Sequence, residues 1–121
     1  HELQFAGAHS PLVLFRNGDM MVKKGDRMPI GIHKNDTKPF TNHRIELLPD
    51  DVIYIYSDGF SDQLGCQTGR KFMHKRFKRL LHEIHEMNMD EQKEHLDQSL
   101  KDWKGDCAQI DDILIIGFKI R

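Results

Sequence analysis

Five consecutive β-branched or aromatic residues, Val52-Ile53-Tyr54-Ile55-Tyr56, constrain the fold most. A run without polar alternation predicts a strand with both faces covered. Pro49-Asp50-Asp51 supplies a turn before it. Ser57-Asp58-Gly59 ends it, because glycine reaches backbone angles closed to other residues. A second apolar run, Ile113 to Ile120, follows Ile110-Asp111-Asp112 and predicts another strand, placed centrally in a sheet.

Between the two runs the period becomes helical. From Arg70 to Met87, Met73, Phe77, Leu80, Leu81, Ile84 and Met87 form one stripe, opposite Lys71, Lys75, Lys78, Arg79 and His82. A second helix is expected from about Asp90 to Trp103. Asn88 and Glu91 have capping-box spacing, Met89, Leu96, Leu100 and Trp103 form the stripe, and Gly105 is a terminator. The two helices are expected to pack as a pair.

The first third reads as β structure. Leu3 to Ala8 looks like strand, and Leu12 to Phe15 and Met20 to Val22 flank an Asn17-Gly18 pair suited to a type I′ hairpin turn. Met28 to Ile32 is broken by Pro and Gly, a polar loop runs to Thr41, and His43 to Leu48 could be a strand. Strands, two helices and a final strand predict an α+β layer architecture.

At 121 residues the chain has room for one core. Apolar residues at 38%, charged residues at 31% and a net charge of -1 match a soluble globular domain and give no sign of a nucleic-acid or anionic-membrane partner. Ile113 to Phe118, the longest apolar run, is far short of the ~20 residues of a spanning helix. A cytoplasmic location is therefore expected. Cys66 and Cys107 stand far apart and outside any Cys-x-x-Cys pairing, so free, reduced thiols are expected. Because the chain opens at His1 and reads as strand almost at once, the reading frame is expected to extend upstream.

Asp58 ends one buried strand and Asp111-Asp112 begin another. If these strands are adjacent and antiparallel, the carboxylates share one rim, where hard cations such as Mg²⁺ or Mn²⁺ would relieve their repulsion. The same residues read equally well as a plain turn and a solvated strand start.

Four ordered motifs resemble the SpoIIE-like branch of the PPM phosphatases. They are Phe5 to Leu12, Pro29-Ile30-Gly31, Tyr56-Ser57-Asp58-Gly59-Phe60-Ser61-Asp62 and Asp111-Asp112-Ile113. The resemblance implies a partial β-sandwich of antiparallel strands with a two-helix layer. Residues 1–121 would be the C-terminal portion of the phosphatase domain, without its N-terminal half. It also implies a two-metal Mn²⁺ or Mg²⁺ site in which Asp58 and Asp111 are ligands, supported by Asp112 and Gly59. Water activated by the metals would attack phosphorus, so no protein nucleophile is implied. The family's earlier Asp and Gly-His-Gly motif is absent, Leu114 replaces the usual threonine, and Asp62 stands where glutamate is common. The ligand set is therefore expected to be incomplete and the segment inactive by itself.

Other motifs weigh less. His82-Glu83-Ile84-His85-Glu86 spaces its histidines three apart, where a zinc-protease helix needs four. His9 and His43 read as ordinary loop or strand histidines. The basic helix face reads as solvated, and no Gly-Lys-Ser/Thr follows Gly25 or Gly31 to cradle a nucleotide phosphate.

By resemblance the whole domain is expected to dephosphorylate Ser or Thr of a regulatory protein, such as an anti-sigma-factor antagonist, without membrane contact by this segment. The competing expectation is a pseudophosphatase that binds through its helical face. A half-sandwich exposes strand edges, so the segment is also expected to form a homodimer.

Overall fold

In the computed structural model, which describes residues 1–34 and 37–121, Asn17 and Gly18 close a hairpin with φ of 51° and 83°. A type I′ turn requires positive φ at both positions, which Asn and Gly tolerate best. The turn sets β2 (Leu12–Arg16) antiparallel to β3 (Asp19–Lys23), with Arg16 opposite Asp19. A Cβ added at Gly18 would meet nothing within 4 Å, so the backbone alone makes glycine necessary. Gly18→Ala should cost about 1 kcal/mol in urea denaturation, and a neutral result would contradict this turn geometry. Asn35 and Asp36, in the expected polar loop, lie outside the described residues.

The chain divides into two units. The first comprises His1–Tyr56 and Ile116–Arg121, and the second Ser57–Ile115.

In the first unit, β1 (Glu2–Phe5) pairs antiparallel with β4 (His43–Glu46). The expected first strand stops at Phe5, and Ala8 makes only an isolated bridge to Asp26. A four-stranded sheet has the order β3-β2-β5-β6, where β5 is Val52–Tyr56 and β6 is Ile115–Lys119. Leu12, Leu14 and Ile53 from this sheet pack with Ile45 and Leu47 as one apolar cluster. On the other pleat of the same sheet, Phe15 meets Tyr54 edge to face at 5.9 Å. Both faces of β5 are covered, as its composition predicts.

The last strand departs from its expected place. β6 lies at the edge of the sheet, and Leu114 and Ile116 are 58% and 44% exposed. Apolar composition registers the preference of side chains to leave water, but which strands hydrogen-bond on either side is decided by topology.

Asp51 is the buried charge of this unit, with its side chain 1% exposed. Arg16 donates to both of its oxygens, from Nε at 2.8 Å and Nη2 at 2.6 Å, and Leu48 N–H donates at 2.9 Å. The guanidinium and the backbone donor hold the Asp51 carboxyl below the usual carboxylate range, against the opposing effect of burial.

In the second unit, α1 (Gly59–Asp62) is a single turn, followed by α2 (His74–Ile84) and α3 (Met89–Lys104). α2 starts later than its periodicity suggests. Phe72 and Met73 first donate backbone hydrogen bonds to Gln63 and Ser61, and Met73 takes a φ of 82° that no helix can continue. Met73 is consequently 58% exposed and off the stripe. Phe77, Leu80, Leu81 and Ile84 are buried as expected, and the Asn88–Glu91 capping box forms in full.

Phe60 meets Phe72 and Phe77 at 5.0 and 4.9 Å, and Arg76 of α2 reaches α3 by lying over the Trp103 ring at 4.7 Å. Cys66 and Cys107, expected as free thiols, form a disulfide. Their 41-residue separation hides the contact, because α3 and the turn after it return the chain to the residues that follow α1. No helix among the described residues is long and apolar enough to cross a membrane.

Candidate functional site

Ser57 is the residue that joins the two acidic segments. Its backbone N–H donates to Leu114 O at 2.9 Å, its hydroxyl donates to Asp112 O at 3.0 Å, and the same hydroxyl accepts from Leu114 N–H at 3.0 Å. The pairing continues in the same antiparallel sense at Asp50 N–H to Ile120 O and Ile120 N–H to Asp51 O. The end of β5 and the start of β6 thus fall at one rim, and the segments carrying Asp58 and Asp111-Asp112 lie side by side along the backbone.

Gly59 makes that approach possible. A Cβ at Gly59 would fall 2.1 Å from the Asp112 carbonyl oxygen and 2.8 Å from Ile113 Cγ1. Its φ is not positive, so the constraint is space and not backbone conformation.

Asp58 precedes α1 without capping it. Its side chain makes no cap hydrogen bond, while its carbonyl accepts from Asp62 N–H and Ser61 Oγ. Asp58 is exposed. Asp111 is also exposed, and one of its carboxylate oxygens accepts from Asp112 N–H at 2.7 Å. Gln109 Nε2 donates to the Asp111 carbonyl at 2.9 Å, which shapes the approach to the strand. The Asp112 side chain is exposed as well.

Hard divalent cations take oxygen ligands and often retain several waters, so two exposed carboxylates on adjoining turns match part of such a shell. They do not make a whole one. Among the described residues no group of three or more His, Cys, Asp or Glu side chains is placed to hold an ion. His82 and His85, on α2 and at its C-terminal cap with rings 5.2 Å apart, belong to no such group.

One supporting residue was not singled out by its sequence context. Gln63 is fully buried, its Nε2 donates to Leu64 O and Ala108 O, each at 3.0 Å, and its backbone carbonyl accepts from Trp103 Nε1 at 2.8 Å. A glutamine after a polar turn carries no periodic signal, so only the folded arrangement reveals it.

Antiparallel sheets with helices are shared with phosphatase domains of the PP2C class. The SiaA-PP2C domain of Pseudomonas aeruginosa is similar to 99% of this chain at 31% identity, with a TM-score of 0.86. The PP2C phosphatase domain of SpoIIE from Bacillus subtilis, solved with a fragment of its regulatory domain, matches 98% of the chain at 15% identity and a TM-score of 0.69. A structure of the SpoIIE phosphatase domain alone matches 99% of it at 14% identity and a TM-score of 0.65. The last two likenesses carry the fold only. This chain spans 46%, 34% and 57% of those three chains. No curated protein matches the sequence.

The family model of Stage II sporulation protein E (SpoIIE) matches residues 1–121. The chain belongs to the SpoIIE family of PP2C-type phosphatase domains.

Proposed function

We propose that this chain supplies Asp58 and Asp111 to a two-cation site, of Mn²⁺ or Mg²⁺, that hydrolyses phosphoserine or phosphothreonine in a regulatory protein. The observation that supports this most is the Ser57 bridge to Asp112 and Leu114, which ties the two acidic segments through the Ser57 hydroxyl and the Ser57 backbone N–H. When bound, the cations supply an activated water and neutralise charge on the phosphoryl group.

The chain's own residues have the simpler task of placement. Asp58 and Asp111 present oxygens at one rim, Ser57 and Gly59 hold that rim closed, and Asp112 supports the turn through its backbone N–H to Asp111. The remaining ligands are proposed to come from the rest of the domain, in keeping with the 46% of the SiaA-PP2C chain that is spanned here. A phosphorylated anti-sigma-factor antagonist is the proposed substrate, by the resemblance to SpoIIE-like phosphatases.

The test uses the complete protein that carries this chain. Asp58→Asn and Asp111→Asn should each reduce Mn²⁺-dependent hydrolysis of a phosphoserine peptide by at least about 100-fold, the upper end of what losing a mere supporting partner costs. Wild-type turnover in either variant would remove that residue from the site. A wild-type protein that binds the phosphopeptide without hydrolysing it would favour the pseudophosphatase reading.

A further inference from the structure

Residues 105–114 contain no helix or strand, yet they carry Asp111. On the Asp112 side, Ser57 holds this stretch through Asp112 O and Leu114 N–H. At the other end three contacts converge. Cys107 is bonded to Cys66, Gln63 Nε2 donates to Ala108 O at 3.0 Å, and Lys104 Nζ donates to Cys107 O at 3.0 Å. Gln63 and Cys66 both follow the α1 turn that begins at Asp58, so the covalent bond joins the segment after Asp58 to the segment before Asp111.

Gln63 holds this end only non-covalently, through Nε2 and the surrounding packing, and among the described residues its Oε1 has no hydrogen-bond partner. The disulfide is therefore the strong member at this end of the stretch, and it is accessible: Cys66 is exposed and Cys107 half-buried.

We infer that the Cys66–Cys107 disulfide is a redox latch that holds the Asp111 segment in register with the Asp58 turn, so that its reduction weakens metal binding. The inference rests on the reading of Asp58 and Asp111 as ligands. The reductant is a dithiol. One of its thiolates attacks a cysteine sulfur, the S–S bond breaks, and a mixed disulfide forms with release of the other cysteine as a thiolate. The second thiol of the reductant resolves the mixed disulfide. Two electrons and two protons end on Cys66 and Cys107, and the reductant leaves as its cyclic disulfide. Supporting groups around metal ligands commonly control affinity by about 10- to 100-fold.

The complete protein is compared oxidised, reduced with dithiothreitol and then desalted without air, and as the Cys66→Ser/Cys107→Ser double variant. Calorimetry reads the Mn²⁺ dissociation constant, and amide exchange reads protection of residues 107–114 and of α2. Opening the latch should speed exchange at 107–114, leave α2 protected and weaken Mn²⁺ binding about tenfold. Reoxidation should reverse this in the wild type only.

A purely structural staple would lower the melting temperature without moving the Mn²⁺ dissociation constant in the folded protein, and that result overturns the latch. Loss of α2 protection together with that of 107–114 also overturns it, because the bond would then hold up the whole unit. In both cases the phosphatase reading stands if Asp58→Asn still abolishes Mn²⁺ binding. Absence of Mn²⁺ binding in the oxidised wild type removes both.

Discussion

Replacing Gly59 with alanine should destabilise the protein by about 2 kcal/mol or more, a large effect for the addition of one methyl group. Alanine is the better helix former, and at the start of α1 that preference would contribute at most ~1 kcal/mol in its favour. Against it stands an obstacle that cannot rotate away. The new Cβ would lie 2.1 Å from the Asp112 carbonyl oxygen and 2.8 Å from the Asp112 carbonyl carbon, so backbone has to move. Moving it stretches the Ser57 hydroxyl bond to Asp112 O, now 3.0 Å, and separates the two acidic segments. Urea denaturation gives the stability change, and on the proposed function Mn²⁺ affinity should fall in parallel. Stability within 0.5 kcal/mol of wild type, roughly the size of an ordinary surface substitution, would show that the two backbones are not in contact.

Loss of the Asp51 carboxylate should be the other large perturbation. Asp51→Ala removes the acceptor for two Arg16 bonds and for Leu48 N–H, and leaves a buried hole beside a half-buried guanidinium. Breaking a buried, hydrogen-bonded pair from one side costs about 3 kcal/mol. Asp51→Asn should be milder, since an amide retains one acceptor oxygen.

The pH dependence follows from the same contacts. The folded carboxyl of Asp51 lies below its unfolded value, so the unfolded chain binds the proton more readily. Its stabilising contribution is full above an unfolded pKa of about 4 and is lost as pH falls through the folded value. Asp26 adds in the same direction, held low by Thr41 N–H at 2.7 Å and Thr41 Oγ1 at 2.9 Å. Stability measured from pH 7 to pH 2 should therefore drop below about pH 4, and the drop should be shallower in Asp51→Asn. An unchanged acid limb in that variant would contradict the depressed carboxyl.

Several elements were legible because their signals are local. The Asn17-Gly18 turn, the Val52–Tyr56 strand, the α2 stripe and the Asn88 capping box each depend on residues within a few positions of one another. The order of motifs around Asp58 and Asp111 was legible in the same way and led to the SpoIIE family. The disulfide, the edge position of β6, the burial of Asp51 and the bridging by Gln63 were not legible, since each is a pairing across tens of residues.

Residue order by itself determined where the chain extends, coils and turns, and which carboxylates stand at strand ends, because propensity and period act over a single turn or pleat. Tertiary structure alone decided that the backbone after Asp58 lies against the Asp112 carbonyl and that Cys66 meets Cys107. Those contacts come from closing long loops onto a shared core, a cost and a gain that no local stretch of sequence records.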